Sequence, residues 1–359
     1  MILPITVRHR WKTWLLFVGA GLACADFGPA ATGETPVQIV VIDAPSNLGL
    51  RPPAPGVEPG VRYLAATLRK TGLVDRLGAR DAGQVEPPGY SPDPDPVTHF
   101  HNGASLPGYS AKLADQLVPL ITRGDFVLVL GGDCSVLLGT GLALHSLGAY
   151  GLAFIDAHDD FSFARPNAKY SGIFVAAGTD LALATGHGPN QLSDIRGESP
   201  YFREQDVIQI GLSRVKEDSQ FFQTETFDRS KIHCTPVDQI SREGAPAAGA
   251  AARAKLETMN NQGFWIHLDA DVLDAQVMPA VDSPNERGLS FEQLRQILSA
   301  LLSSPKALGL EVAIYDPTLD PDGRYAKGLA RTIEQSFVAS GRFHLARPGS
   351  ASEGVPQTH

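Results

Sequence analysis

The chain has no internal repeat, no glycine-rich phosphate loop and no apolar run long enough to cross a membrane. A spanning helix needs about 20 apolar residues, whereas the amino-terminal apolar stretch, residues 14–23, is ten long. A stable membrane span is therefore not expected. Cysteine is scarce, with only Cys24, Cys134 and Cys234, so no disulfide framework organises the fold. Positive charge is also in short supply. Thirty Lys and Arg face 39 Asp and Glu, a formal net charge of −9, which disfavours nucleic acid as a partner.

What the sequence does have is apolar content arranged in α/β fashion. Across 359 residues, 43% are hydrophobic, enough to bury a large core, and short apolar runs alternate with helical segments. Strands are predicted at 37–42, 126–130, 151–155, 207–210, 264–266 and 308–312, and helices at 61–71, 111–122, 135–147, 249–259 and 290–302.

Three of those strands end in unusual chemistry. Residues 126–130 run into Gly131-Gly132-Asp133-Cys134-Ser135, residues 151–155 into Asp156-Ala157-His158-Asp159-Asp160, and residues 264–266 into His267-Leu268-Asp269-Ala270-Asp271, with Asp274 following. In an open parallel sheet the carboxyl ends of strands form the binding edge. Extended-strand alternation puts Asp156, His158 and Asp160 on one face of their segment, and the same period puts His267, Asp269 and Asp271 on one face of theirs. So many carboxylates at one edge repel unless cations neutralise them. Oxygen ligands with one or two imidazoles suit Mn²⁺, with Zn²⁺, Ni²⁺ or Fe²⁺ as alternatives. His99-Phe100-His101, in the proline- and glycine-rich loop 85–107, reads as surface loop, and 316–323 as turns rather than a calcium site.

These motifs resemble the signatures of the ureohydrolase superfamily, which includes arginase, agmatinase and formimidoylglutamase. GGDCS, DAHDD and HLDADVLDAQVMPAVDSP carry the resemblance. It extends from Ile39 to about Phe337, because Val41-Ile42-Asp43-Ala44-Pro45 and Gly56-Val57-Glu58-Pro59-Gly60 resemble that family's opening strand and loop. The resemblance implies a three-layer α/β/α fold with a mainly parallel sheet, a homo-oligomer, and two manganese ions. It also implies hydrolysis of a linear C–N bond in a guanidino or amidino substrate by a metal-bound hydroxide. Asp156 and Asp269 would bridge the ions, His158 and Asp271 complete one shell, and Asp160 and position 134 complete the other. Asp160 would hold the hydroxide's hydrogen and pass a proton to the leaving nitrogen.

Three departures from the family pattern bear on specificity. Cys134 stands where the family has histidine, and a thiolate favours softer ions such as Zn²⁺; ligand and small buried residue are both open readings. Ala177 replaces the proton-shuttle histidine. Ile314 replaces the guanidinium-gripping glutamate, so free arginine is expected to be a poor substrate. His267 is a candidate catalytic group, either replacing the missing imidazole or hydrogen-bonding a ligating carboxylate. Asp180 and Glu311 are candidate substrate carboxylates. Two alternative functions remain beside the amidine hydrolase: a mononuclear-metal amidohydrolase or deacetylase-like enzyme, and a catalytically silent binding protein on the same fold.

Domain organisation is expected to be a signal peptide over residues 1–25 followed by one domain over 26–359. Arg8, Arg10 and Lys12 precede the apolar stretch, no acid appears before Asp26, and Ala23-Cys24-Ala25 fits a small-x-small cleavage site. Export to the periplasm or exterior is the corresponding expectation. An oxidising compartment sits awkwardly with a site thiol at Cys134, and Cys134's site position argues against its pairing with Cys234.

Overall fold

The structure, a computed structural model, describes residues 37–161, 174–213, 227–343 and 345. The expected signal peptide lies outside them. From Pro36 onward the chain clusters as one compact unit. Eight strands make up its sheet: β1 (Ile39–Asp43), β2 (Arg80–Gln84), β3 (Phe126–Leu130), β4 (Gly151–Ile155), β5 (Val207–Ile210), β6 (His233–Thr235), β7 (Phe264–Asp269) and β8 (Ala307–Ala313). Their order is β2-β1-β3-β8-β7-β4-β5-β6, and every pairing is parallel.

Buried parallel strands are apolar on both faces, and β1, β3, β4 and β7 are buried at every residue. Alternate residues feed two separate cores. Ile39, Val41, Leu128 and Ile266 join the helices Phe291–Leu302 and Arg324–Ser340 on one face. Val40, Ile42, Val127 and Trp265 join the helices Leu106–Thr122 and Val136–Leu147 on the other. The result is the expected three-layer α/β/α arrangement.

The sequence placed the central strands well and missed the periphery. β2 reads Arg-Asp-Ala-Gly-Gln and is mostly exposed, an edge strand with no apolar run, and β6 has three residues. The helix expected over 111–122 begins at Leu106, because Pro107 sits in its first turn, where a missing N–H costs nothing. Helix Arg324–Ser340 went unpredicted, although its buried Ala326, Leu329, Ala330, Ile333 and Phe337 follow helical spacing.

Candidate metal centre

Three strands, β3, β7 and β4, deliver the acidic segments to one edge, with β8 lying between β3 and β7. The turn after β3 is fixed by close backbone approach. A side chain at Gly132 would place its Cβ 1.8 Å from the Ser46 carbonyl oxygen, so only glycine fits. Asp133 braces the turn rather than facing a ligand: it accepts from Ser46 Oγ at 2.7 Å and from the Ser135 amide at 2.8 Å. Cys134 is thereby fully buried at the site, its Sγ donating to Asp269 Oδ2 at 2.9 Å.

Alternation along an extended strand is not what gathers the β4 side chains, because β4 ends at Ile155. Asp156 Oδ1 accepts the His158 amide at 2.7 Å, folding the chain into an Asx turn. Asp160 then adopts φ 42°, in the left-handed region. From below, the Gln209 side-chain amide donates to the carbonyls of Asp156 at 2.8 Å and His158 at 3.3 Å. After β7 the same device recurs, with Asp269 Oδ1 accepting the Asp271 amide at 2.7 Å. His267 and Asp269, both inside β7, do share a face as strand alternation predicts.

Three groups of potential ligand atoms result, each within 4.8 Å of one another: Asp156 with His158 and Asp271; Cys134 with Asp156 and Asp160; and Cys134 with Asp180 and His267. His158 Nδ1 lies 3.1 Å from Asp271 Oδ2 and 3.5 Å from Asp156 Oδ1. Asp156 Oδ2 and Asp271 Oδ1 are buried without a hydrogen-bond partner. Among the described residues no lysine or arginine pairs with Asp156, Asp160, Asp180, Asp269 or Asp271. Burial raises the carboxyls of Asp160, Asp180 and Asp269 well above the ordinary range, and that of Asp156 to about 6, with the Asp271 charge adding to burial at Asp156 and Asp269. Burial likewise pushes the Cys134 thiol up. Burial opposes charge on His158, but Asp271 and Asp156 outweigh it and hold the imidazole well above its usual value. Orphaned oxygens and carboxylates this costly to ionise are what a divalent cation relieves. The residues present fit one.

Asp180 and Glu311, expected to grip a substrate cation, are placed differently. Both are fully buried. Glu311 pairs in register with His267 across β8 and β7, and Glu311 Oε1 lies 2.6 Å from His267 Nδ1. The Glu311 carboxylate has no exposed surface and is engaged by the His267 imidazole. Asp180 opens the helix Asp180–Ala184 with Oδ2 3.9 Å from His267 Nε2. Glu311 and Asp180 together hold the His267 imidazole above its ordinary pKa against burial, which alone would lower it.

Two contributors escaped the sequence analysis. Phe154 stacks on the His267 ring, centroids 4.8 Å apart and planes 6° from parallel. Gln209 supports the Asp156 turn. Its signal was a lone amide in the apolar strand Val-Ile-Gln-Ile.

A parallel α/β/α sheet whose strand ends converge on a buried, carboxylate-rich cluster with unpartnered oxygens defines a divalent-metal class of site. The family model described as the arginase family matches residues 37–339, and the chain belongs to that family. The chain is 27% identical over 302 residues to an arginase of Bacillus caldovelox, covering 80% of this chain and 94% of that one. It is 26% identical over 323 residues to human arginase-1, covering 87% and 94%. Among solved structures, the arginase of B. caldovelox superposes with a TM-score of 0.72 at 24% identity, covering 84% of this chain and 98% of that one. A formimidoylglutamase from Bacillus subtilis superposes with a TM-score of 0.64 at 17% identity, covering 86% and 88%. Family members are metal-dependent hydrolases of amidino and guanidino C–N bonds.

Proposed function

We propose that this chain hydrolyses a linear C–N bond in a guanidino or amidino compound other than free arginine. The observation that carries the proposal is the Asp156–His158–Asp271 group, with two buried carboxylate oxygens left unpartnered. Asp156, His158 and Asp271 would hold a divalent ion, whose chemistry when bound would be to lower the pKa of a water toward neutrality. Asp156 and Asp269 follow or end the adjacent strands β4 and β7, and by the family resemblance they would be the carboxylates shared between two ions, although the ligand groups that the structure brings together include Asp156 and not Asp269. Asp160 sits beside Asp156 and Cys134, where its carboxyl can carry a proton to the leaving nitrogen.

Specificity follows from what replaces the expected guanidinium partner. Ile314 is 3% exposed within the core, so no carboxylate stands at that position to offset desolvation of a guanidinium. Manganese is the family expectation for the ions, and Cys134 favours zinc. The test is a panel of guanidino and amidino compounds, offered to protein loaded with manganese or zinc, with urea and ammonia release measured. Slow turnover of one or more compounds, with arginine poor, is expected. Arginine as best substrate at about 10 s⁻¹ or more would overturn the specificity, and no release from any compound would leave a silent member of the family.

A further inference from the structure

We propose that Cys134, Asp180 and His267 form a metal cradle, with Glu311 orienting the imidazole, and that it takes a zinc-class divalent ion. The proposal deepens the hydrolase reading and rests on it only in placing metal chemistry at this sheet edge.

The three ligand atoms lie within 4.8 Å of one another and all three residues are buried. Two independent observations point to a missing occupant. His267 Nε2 is fully buried with no hydrogen-bond partner, and the Asp180 carboxylate, equally buried, abuts the Asp160 carboxyl, with which it can share only a proton. His267 Nε2 and Asp180 Oδ2 stand 3.9 Å apart, too far for a hydrogen bond. A purely structural imidazole–carboxylate relay would close that gap. An unpartnered imidazole nitrogen facing two abutting carboxyls, with a thiol beside them, is an arrangement that a cation relieves.

The imidazole is prepared for ligation on its other side. Glu311 accepts from Nδ1 at 2.6 Å, which leaves the Nε2 lone pair for the cradle. Metal-binding histidines commonly donate their second N–H to a carboxylate in this manner, which fixes the ring and raises its basicity. Phe154 locks the ring plane by stacking, in register on the neighbouring strand. The row across the sheet is therefore Glu311, His267, Phe154: orienting carboxylate, ligand and clamp.

Donor chemistry sets the ion. One sulfur, one imidazole nitrogen and one carboxylate oxygen give a mixed donor set of the kind that zinc accepts. Cys134 Sγ also belongs to the group with Asp156 and Asp160. Only an ion drawn toward His267 gains nitrogen and sulfur together.

The full chain is stripped of metal and reloaded with Co²⁺ alone, then with Zn²⁺ alone. With cobalt, a near-ultraviolet thiolate-to-metal charge-transfer band is expected, and Cys134→Ser should abolish it. His267→Gln and Asp180→Asn should each weaken the band-bearing ion's affinity about tenfold or more, and Glu311→Gln by about tenfold, while the ion at Asp156, His158 and Asp271 stays bound. Should these variants fail to fold, X-ray absorption on the zinc-loaded native chain should show a sulfur shell at about 2.3 Å. Absence of that shell, or a cobalt band unchanged in affinity in folded His267→Gln and Asp180→Asn, overturns the cradle. Loss of hydrolysis with the sulfur shell intact would count against the hydrolase reading alone.

Discussion

The amide of Ile314 donates to the carbonyl of Gly132 at 2.7 Å, and Ile314 holds φ 70°. A β-branched residue in the left-handed region is strained by about 1–2 kcal/mol. It persists because this bond and the buried side chain fix the end of β8 against the GGD turn.

The usual order of small residues should therefore invert at this position. In a strand, glycine is less stable than alanine by about 0.5–1 kcal/mol, but here Ile314→Gly should be more stable than Ile314→Ala by about 1 kcal/mol. Both should fall below the native protein, since loss of a buried isoleucine costs about 2–5 kcal/mol. Urea unfolding of the two variants tests this, and alanine as the more stable one refutes the strain.

At least one divalent ion per chain should remain after loading with manganese, zinc or nickel and desalting. Asp271→Ala removes the carboxylate 3.1 Å from His158 Nδ1 and should weaken that ion by about tenfold or more. Elemental analysis reads both quantities. Less than about a tenth of an equivalent in the native chain would remove the metal from this site.

Cys134→His should shift preference from zinc toward manganese, because a harder nitrogen replaces sulfur. Position 134 is fully buried, so the larger ring should also cost about 1–3 kcal/mol. Competition between zinc and manganese, followed by metal analysis, checks the exchange; unchanged selectivity in a folded variant would place residue 134 outside the ligand set.

Metal-free protein should gain stability as pH falls from 7 toward 5. Burial, then the Asp271 charge, raise Asp156 from 3.8 to about 6 in the folded chain. Between those values the folded state keeps a proton that the unfolded state has released, so stability drops as pH rises through the window. His158 acts in the same direction: burial works against its charge, but Asp271 and Asp156 raise its pKa well above 6.5. Its contribution is complete below 6.5 and is lost as pH climbs through the folded value. Zinc should reverse the trend, because its ligands bind deprotonated. Thermal unfolding with chelator and with zinc compares the two, and a stripped protein that melts higher at pH 7 than at pH 5 contradicts the assignment.

How much of this was legible in sequence differs by level. Apolar runs 126–130, 151–155 and 264–266 announced the sheet centre, because strands buried on both faces need no alternation to be recognised. The acidic segments after them announced the edge. What sequence did not convey was which side chains spend their chemistry on each other. Asp133, in the same acidic segment as Cys134, is consumed by Ser46 and the Ser135 amide. Glu311 looked like a substrate contact and is paired with His267, a relation set by β7–β8 register, which no local pattern encodes. Nor did alternation foresee that Asx turns after Asp156 and Asp269 would redirect the chain.

The strand order has a consequence for how the protein is assembled. Cys134, His158, Asp271 and Glu311 come from segments dispersed over much of the chain, the first three following β3, β4 and β7 and Glu311 lying within β8, four strands that are neighbours only in the finished sheet. Before β8 inserts between β3 and β7, the carboxylate that orients His267 is absent and the GGD turn lacks its anchor at Ile314. A fragment that ends before Glu311 carries every ligand but lacks the carboxylate that orients His267. Ion uptake should thus be a late event, and possession of the metal a certificate that the carboxyl-terminal third has taken its place.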